Sequence, residues 1–429
     1  MIGRTAQDPG AVPANWVPTP LDAIADVLIS TVDKHAMPGD PPVLLCNYTD
    51  VYYADEISAS GGFMQATATP AQVRRFRALS GDVAITKDSE TASDVGRSAY
   101  IAADLSNTVY GYHTAVYRPY DLRYGKFIKW LFDSSYMRAT LEVRTPGITR
   151  VGMGLETLRH TRVLLPPPSE AVAIADFLDR QTAEIDAFIA DQERLVDLLL
   201  ERRGAVLADA FLVHLAVAGS RAETEAQAWE TGNIRRFAEM KTGHTPSRSV
   251  PEYWTPAEVP WFTLADVWQL RAGAKYLGET AHRISTAGLA NSAAELLPTG
   301  TVVLSRTASV GFSGIMPRPM ATSQDYWNWV PRPGLDPEFL WLQFQAMRGP
   351  LLALMQGSTH KTIYQADAAS IRIAVPDLAT QREVIGRLDT ELSTLDAAVA
   401  DSRLAITLAR ERRAALITAA VNGTIDVTA

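Results

Sequence analysis

Apolar positions are most regular in two stretches of this 429-residue chain. Pro166-Pro167-Pro168 stops whatever precedes the first, and Ser169 can cap it. Apolar residues then recur at Ile174, Leu178, Ile185, Phe188, Leu195, Leu199 and Val206. That heptad-like stripe predicts a long amphipathic helix. A second follows Pro376, where Thr380 and Glu383 have capping-box spacing, and runs in the same phase through Val384, Leu388, Leu395, Ala398, Ala405, Ala409 and Leu416. At about 35 residues each would be on the order of 50 Å long, too long to bury its stripe against one small domain. Ordinary core helices of separate domains would show the same stripes. Equal phase and near-equal length favour mutual packing, most easily antiparallel because a folded stretch joins the two. Elsewhere short β-rich runs such as Val43 to Leu45, Val83 to Thr86 and Val302 to Ser305 are broken by Gly and Pro, which suggests α+β domains.

The chain repeats itself. From Gly147 to Phe211 and from Gly357 to Val421 the halves align without a gap at a shift of 210. Arg162 matches Arg372, Pro166 matches Pro376, Leu178-Asp179 matches Leu388-Asp389, Asp186-Ala187 matches Asp396-Ala397, and Glu201-Arg202-Arg203 matches Glu411-Arg412-Arg413. Weaker echoes upstream pair Trp16 with Trp229, Asp50-Val51 with Asp266-Val267, and Gly81-Asp82-Val83 with Gly300-Thr301-Val302. The ends of the halves match and their middles diverge.

Length predicts two or three domains. Hydrophobic residues make up 47% and charged residues 21% of the chain, so it can bury substantial cores. The one cysteine, Cys46, excludes an intramolecular disulfide and favours a reducing compartment, with the cytoplasm as the default. No secretion signal is visible in the mixed, polar stretch from Met1 to Asn15. The most apolar run, Gly204 to Gly219, is interrupted by Asp209 and His214 and falls short of the roughly 18 apolar residues of a membrane span. The formal charge of −8 argues against a nucleic-acid partner at first sight. The deficit lies in residues 166–225 and 376–429, however, and the remaining segments can still gather bases on one face.

Catalytic chemistry leaves no convincing signature. The chain has no P-loop, no glycine-rich dinucleotide turn after a plausible strand, and seven scattered histidines without zinc-ligand spacing. Asp40-Pro41-Pro42-Val43 approaches the loop with which amino-methyltransferases hold a flipped base, but Val43 offers no aromatic stacking face, so it reads as a turn. Glu239-Met240-Lys241 has the spacing of a nuclease metal site without the Pro-Asp partner upstream. Features favouring DNA are clusters of donors. Arg118, Arg123, Lys126, Lys129, Arg138, Arg144 and Arg150 interleave with Tyr117, Tyr120, Tyr124, Phe127, Trp130, Phe132 and Tyr136, a pattern equally open to a solvated face over core aromatics. The second copy offers Ser305-Arg306-Thr307 and the loop Gly357-Ser358-Thr359-His360-Lys361-Thr362, matched in the first by Gly147-Ile148-Thr149-Arg150. The candidate DNA contacts are Lys87, Arg97, Lys126, Lys129, Thr149, Arg150, Ser305, Arg306, Thr359, His360 and Lys361. Leu178, Ile185, Leu199, Leu388, Leu395 and Leu416 are the candidates for helix pairing and partner contact.

The ordered set of motifs resembles the DNA-specificity subunit of type I restriction-modification systems. It consists of Thr242-Gly243-His244-Thr245-Pro246-Ser247, Val259-Pro260-Trp261, Leu304-Ser305-Arg306-Thr307, Gly357 to Ile363, Ile371 to Pro376 leading into Gln381-Arg382, and the helix string from Ile174 to Asp179 running on to Glu201-Arg202-Arg203. The first copy departs most, lacking the Gly-x-Thr-Pro turn. The resemblance implies two α+β target-recognition domains, residues 1–165 and 226–375, separated by an antiparallel coiled coil of a central helix and linker in 166–225 and a C-terminal helix in 376–429, with an internal pseudo-twofold repeat. Each domain would read one half of a bipartite, asymmetric site in double-stranded DNA, and the helices would fix the spacing. The family's partners are two methyltransferase subunits and restriction/translocase subunits, which carry S-adenosylmethionine, ATP and Mg. This chain would bind no cofactor or metal, catalyse nothing and contact no membrane. The competing expectations are a stand-alone DNA adenine methyltransferase and a helical protein-binding adaptor.

Overall fold

The computed structural model describes residues 13–145, 147, 150–217, 229–355 and 362–427, with no side chains described for 212–217. The chain divides into two compact units, one of residues 1–193 with 403–429 and one of residues 194–402. Both mix strands with helices.

In the first unit the strands are β1 (Val17–Pro20), β2 (Ala25–Ile29), β3 (Pro42–Cys46), β4 (Glu56–Ile57), β5 (Met64–Thr67), β6 (Val83–Thr86), β7 (Asp88–Ser89), β8 (Ser98–Ile101), β9 (Thr108–Tyr110), β10 (Thr114–Pro119), β11 (Val151–Gly152) and β12 (Arg162–Leu165). A five-stranded sheet in the order β2-β10-β6-β8-β4 and a three-stranded sheet in the order β5-β3-β9 carry its core, and the pair β1-β12 leads out to the first long helix. The helix Gly125–Asp133 packs on the larger sheet because its apolar face is broad. Phe127, Ile128, Leu131 and Phe132 are buried there with Val83, Ile85 and Tyr117. Val43 lies in a second core with Leu45 and Phe76, and Asp40-Pro41-Pro42-Val43 is not one turn: Asp40 and Pro41 lead into β3, to which Pro42 and Val43 already belong.

The second unit repeats this plan. Its strands are β13 (Glu230–Asn233), β14 (Ala238–Thr242), β15 (Val259–Phe262), β16 (His282–Ile284), β17 (Val302–Ser305), β18 (Ser313–Ile315), β19 (Ala321–Thr322), β20 (Tyr326–Pro331) and β21 (Arg372–Val375). The sheets β14-β20-β17-β18 and β16-β15-β19 correspond to β2-β10-β6-β8 and β5-β3-β9, and β13-β21 to β1-β12. The helix Pro337–Ala346 takes the place of Gly125–Asp133. Gly243 ends β14 against β19; a Cβ there would fall 2.2 Å from the carbonyl oxygens of both Thr322 and Ser323, a gap only glycine fits.

The two long helices are Pro168–Val217 and Leu378–Val421. The second begins one turn before the expected Thr380 cap. Asp377 takes that role, its Oδ1 accepting the Thr380 N–H at 2.9 Å, which also holds its exposed carboxyl below the usual range. Within the first unit Leu178 packs with Ile417, Ala420 and Val421. Arg413 pairs with Asp186 at 2.9 Å and Arg410 with Glu193 at 2.8 Å. Within the second, Leu207, Ala210 and Phe211 share a core with Val384, Ile385 and Leu388, and Arg203 pairs with Asp396 at 2.8 Å. In each unit rising numbers on one helix meet falling numbers on the other, which makes both pairings antiparallel.

The seam has alternating spacings of four and three, through Leu178, Thr182, Ile185, Ile189, Gln192, Val196, Leu199 and Arg203 on one helix. On the other it runs through Leu388, Leu392, Leu395, Val399, Ser402, Ile406, Ala409, Arg413 and Leu416. These positions are buried or half-buried throughout. Phe188 and Leu195, which the apolar pattern assigns to the stripe, are 45% and 41% exposed. They stand one position before Ile189 and Val196, which carry the seam instead.

Candidate nucleic-acid interface

The basic and aromatic residues from Tyr117 to Asp133 resolve into core and paired charges. Tyr117, Tyr124, Phe127, Trp130 and Phe132 are buried, because the helix Gly125–Asp133 turns that face inward. Arg118 forms a fork with Asp82, Nε to Oδ1 and Nη2 to Oδ2 both at 2.8 Å. Arg123 binds Asp121. Lys126 pairs with Asp179 of the long helix, to which the Trp130 indole also donates at 2.8 Å. Lys129 is only 4% exposed and is held by Asp133 at 2.9 Å and Asp55 at 3.1 Å. A buried, doubly paired ammonium cannot reach a phosphate, so Lys129 joins the core and Lys126 braces the helix. In the second unit Lys275 binds Glu338 and Asp389, the repeat partner of Asp179, at 2.9 and 3.1 Å.

Other predicted residues come together at one end of the larger sheet. Just past β6, Lys87 sits beside Asp88 of β7, which pairs with β11, and the turn before β10 brings Tyr112 and His113 alongside. Lys87 Nζ, His113 Nδ1 and Arg150 Nη2 all contact the Asp88 carboxylate, at 2.7, 2.6 and 2.9 Å. Burial raises the Asp88 pKa, but the hydrogen bonds and charges of Lys87 and His113 outweigh it and hold the carboxyl below its usual range. The Tyr112 and His113 rings lie 3.7 Å apart, with Lys87 over Tyr112. Tyr48 donates to Ser89 of β7 and stacks on Tyr52, over whose ring Arg97 lies at 5.5 Å. Lys87, Arg97 and Arg150 therefore share one surface. Thr149 lies outside the described residues.

The second unit builds the same end with other side chains. The backbone N–H of Ile363 donates to the Arg306 carbonyl at 3.0 Å as that of Met153 does to Lys87 at 2.9 Å, so Arg306 occupies the place of Lys87. Thr307 Oγ1 donates to Asp325 at 3.0 Å where Asp88 meets His113. Ser323 donates to the other Asp325 oxygen at 2.8 Å, and Thr245 donates to the exposed Gln324 at 2.6 Å. The Arg306 guanidinium lies 4.4 Å over Trp327 with its Nε buried and without a hydrogen-bond partner, and burial lowers its pKa. Ser305 is fully buried and donates to Thr307 O, shaping the turn in which Ala308 takes φ 55°. Thr359, His360 and Lys361 lie outside the described residues.

Sequence reasoning misses Asp88, Tyr112, His113, Gln324 and Asp325. The signal was available: extending the echo of Gly81-Asp82-Val83 with Gly300-Thr301-Val302 sets Lys87-Asp88 against Arg306-Thr307. Glu239 and Lys241 are ion-paired neighbours on β14, with Lys241 also bound to Glu295 at 2.9 Å. Among the described residues no group of His, Cys, Asp and Glu could hold a metal ion, and no helix is long and apolar enough to cross a membrane.

Residues 227–398 match the family model described as the type I restriction modification DNA specificity domain. That segment is similar to the specificity domains of type I restriction-modification systems. The specificity domain thus covers the globular part of the second unit and runs into the second long helix. The chain is 25% identical over 158 residues to the MjaIX specificity subunit, from a type I restriction enzyme of Methanocaldococcus jannaschii, which is 36% of each chain. It is 25% identical over 93 residues to the EcoprrI specificity subunit of Escherichia coli, 22% of each. The matched stretches thus span about a third or less of these curated relatives. Its fold resembles a chain from a structure of type I R-M complex assembly and conformational transition, with a TM-score of 0.69 and 16% identity, covering 97% of this chain and 100% of that one. It also resembles the HsdS subunit of Thermoanaerobacter tengcongensis, with a TM-score of 0.57 and 15% identity, covering 98% and 100%. The fold of those chains therefore extends over both units.

Proposed function

We propose that this chain is the DNA-specificity subunit of a type I restriction-modification complex. Recognition domains at residues 1–165 and 226–375 each read one half of a bipartite, asymmetric site in double-stranded DNA. The long helices set the gap, on the order of one turn of DNA, and dock two methyltransferase subunits in pseudo-twofold fashion, with restriction/translocase subunits completing the complex. S-adenosylmethionine, ATP and Mg act on those partners in the cytoplasm, and this chain supplies the address. One observation carries the reading. Each unit repeats one scaffold down to the matching bonds Met153 to Lys87 and Ile363 to Arg306, while the side chains presented there differ in charge and hydrogen-bonding sense. A conserved frame with divergent loops suits two readers of unlike sequences.

The DNA contacts in this reading are Lys87, Arg97, Arg150 and Arg306, together with Thr149, Thr359, His360 and Lys361. Mapping methylated adenines in DNA from cells with and without this gene, partners present, tests it. A bipartite motif that vanishes with the gene is expected; methylation that is unchanged by its loss, or that the isolated chain performs, contradicts it.

A further inference from the structure

Asp88 gathers Lys87, His113 and Arg150 around one carboxylate while its own side chain is 13% exposed. Arg150 spends Nη2 on Asp88, and the same nitrogen lies 2.9 and 3.2 Å from the ring nitrogens of His113. Its side chain stays 56% exposed, and its Nε and Nη1 make no hydrogen bond to the described residues. The guanidinium is thus held at Nη2, whose second hydrogen forms a two-donor edge with Nε or Nη1.

We propose that Arg150 reads a guanine in the major groove of the half-site bound by the first unit, with Asp88 as the positioning residue that sets the guanidinium plane. This rests on the DNA-specificity reading above. A carboxylate at 2.9 Å offsets part of the charge with which Arg150 would attract a phosphate, while Lys87 on the same carboxylate leaves the cluster net positive. A base edge is neutral, and guanine presents the acceptors O6 and N7 that two donors of one fixed plane can meet together. Anchoring one nitrogen removes much of the rotamer freedom the contact would otherwise freeze. His113 packs against the anchored side, and the 40% exposed Tyr112 lies beside it. The second unit lacks this device. Thr307 stands for Asp88 and Asp325 for His113, and Arg306 has an aromatic ring rather than a carboxylate beneath it.

Selection from randomised duplexes by the complex of this chain with its partner subunits tests the proposal. Arg150→Ala should make one G·C position in one half-site degenerate, with a loss of discrimination of about 5- to 150-fold, leaving the other half-site and the salt dependence unchanged. Arg150→Lys, which keeps the charge but not the fork, should relax the same position. Asp88→Asn should relax it to a smaller extent; a merely structural Asp88 would weaken binding to all sequences alike. Three results would overturn the proposal: no G·C pair in that half-site, an unchanged motif in Arg150→Ala, or uniform weakening with a shallower salt slope that Arg150→Lys restores. A wild-type complex that selects no bipartite sequence would instead remove the DNA-specificity reading itself.

Discussion

Arg413 meets Asp186 across the helix pair of the first unit, Nε to carboxylate at 2.9 Å. In the second unit Arg203 meets Asp396 at 2.8 Å. Arg203 and Asp186 are the residues that the 210-residue shift aligns with Arg413 and Asp396, so both units use one register. The Arg413 side chain is 22% exposed and that of Asp186 47%, so solvent screens the pair. A double-mutant cycle of Arg413→Ala and Asp186→Ala should return a coupling of about 0.5–1 kcal/mol. Denaturant unfolding of the full chain measures it, and additivity would mean the register is set elsewhere.

Gly243→Ala drives a Cβ into two carbonyl oxygens and should destabilise the second unit by about 2 kcal/mol or more. Gly204 and Gly386 lie inside the long helices with nothing within 4 Å of an added Cβ. Alanine there should stabilise by about 0.5–1 kcal/mol each. Thermal melting of the three variants checks the opposite signs.

Asp88 titrates below the usual carboxylate range. A depressed folded pKa means that its contribution to stability is fully present above the unfolded value and is lost as pH falls through the folded one. Asp88→Asn should therefore cost about 1–3 kcal/mol at neutral pH, and the difference from wild type should shrink towards zero as pH falls through the depressed folded pKa. Denaturation midpoints across that range are the measurement; a difference that grew on acidification would reverse the assignment.

Arg306 and Lys361 are the phosphate-contact candidates of the second unit. Replacing either with alanine should weaken binding across all sequences and lower the slope of affinity against salt by about one counterion. Binding isotherms at several salt concentrations test this, and an unchanged slope would exclude the contact.

The repeat and the long helices were legible because identical residues at one shift, and a heptad pattern, survive in sequence. The pattern slipped by one residue at Phe188, Leu195, Ala398 and Ala405, where Ile189, Val196, Val399 and Ile406 carry the seam, since neighbouring apolar residues differ by about 100° around a helix. The site was less legible. Composition could not tell Lys129, buried between two carboxylates, from Arg150, because what separates them is the fold of the helix Gly125–Asp133. Asp88 and His113 are 25 residues apart and meet only when β6, β7 and β10 assemble.

The central claim is that the two units read separate DNA segments. Hydroxyl-radical footprinting of the complex on its methylated site tests it most directly. Two short protected segments flanking an unprotected gap are predicted, with Arg150→Ala affecting only one of them; a single continuous footprint, or one segment alone, would contradict the account.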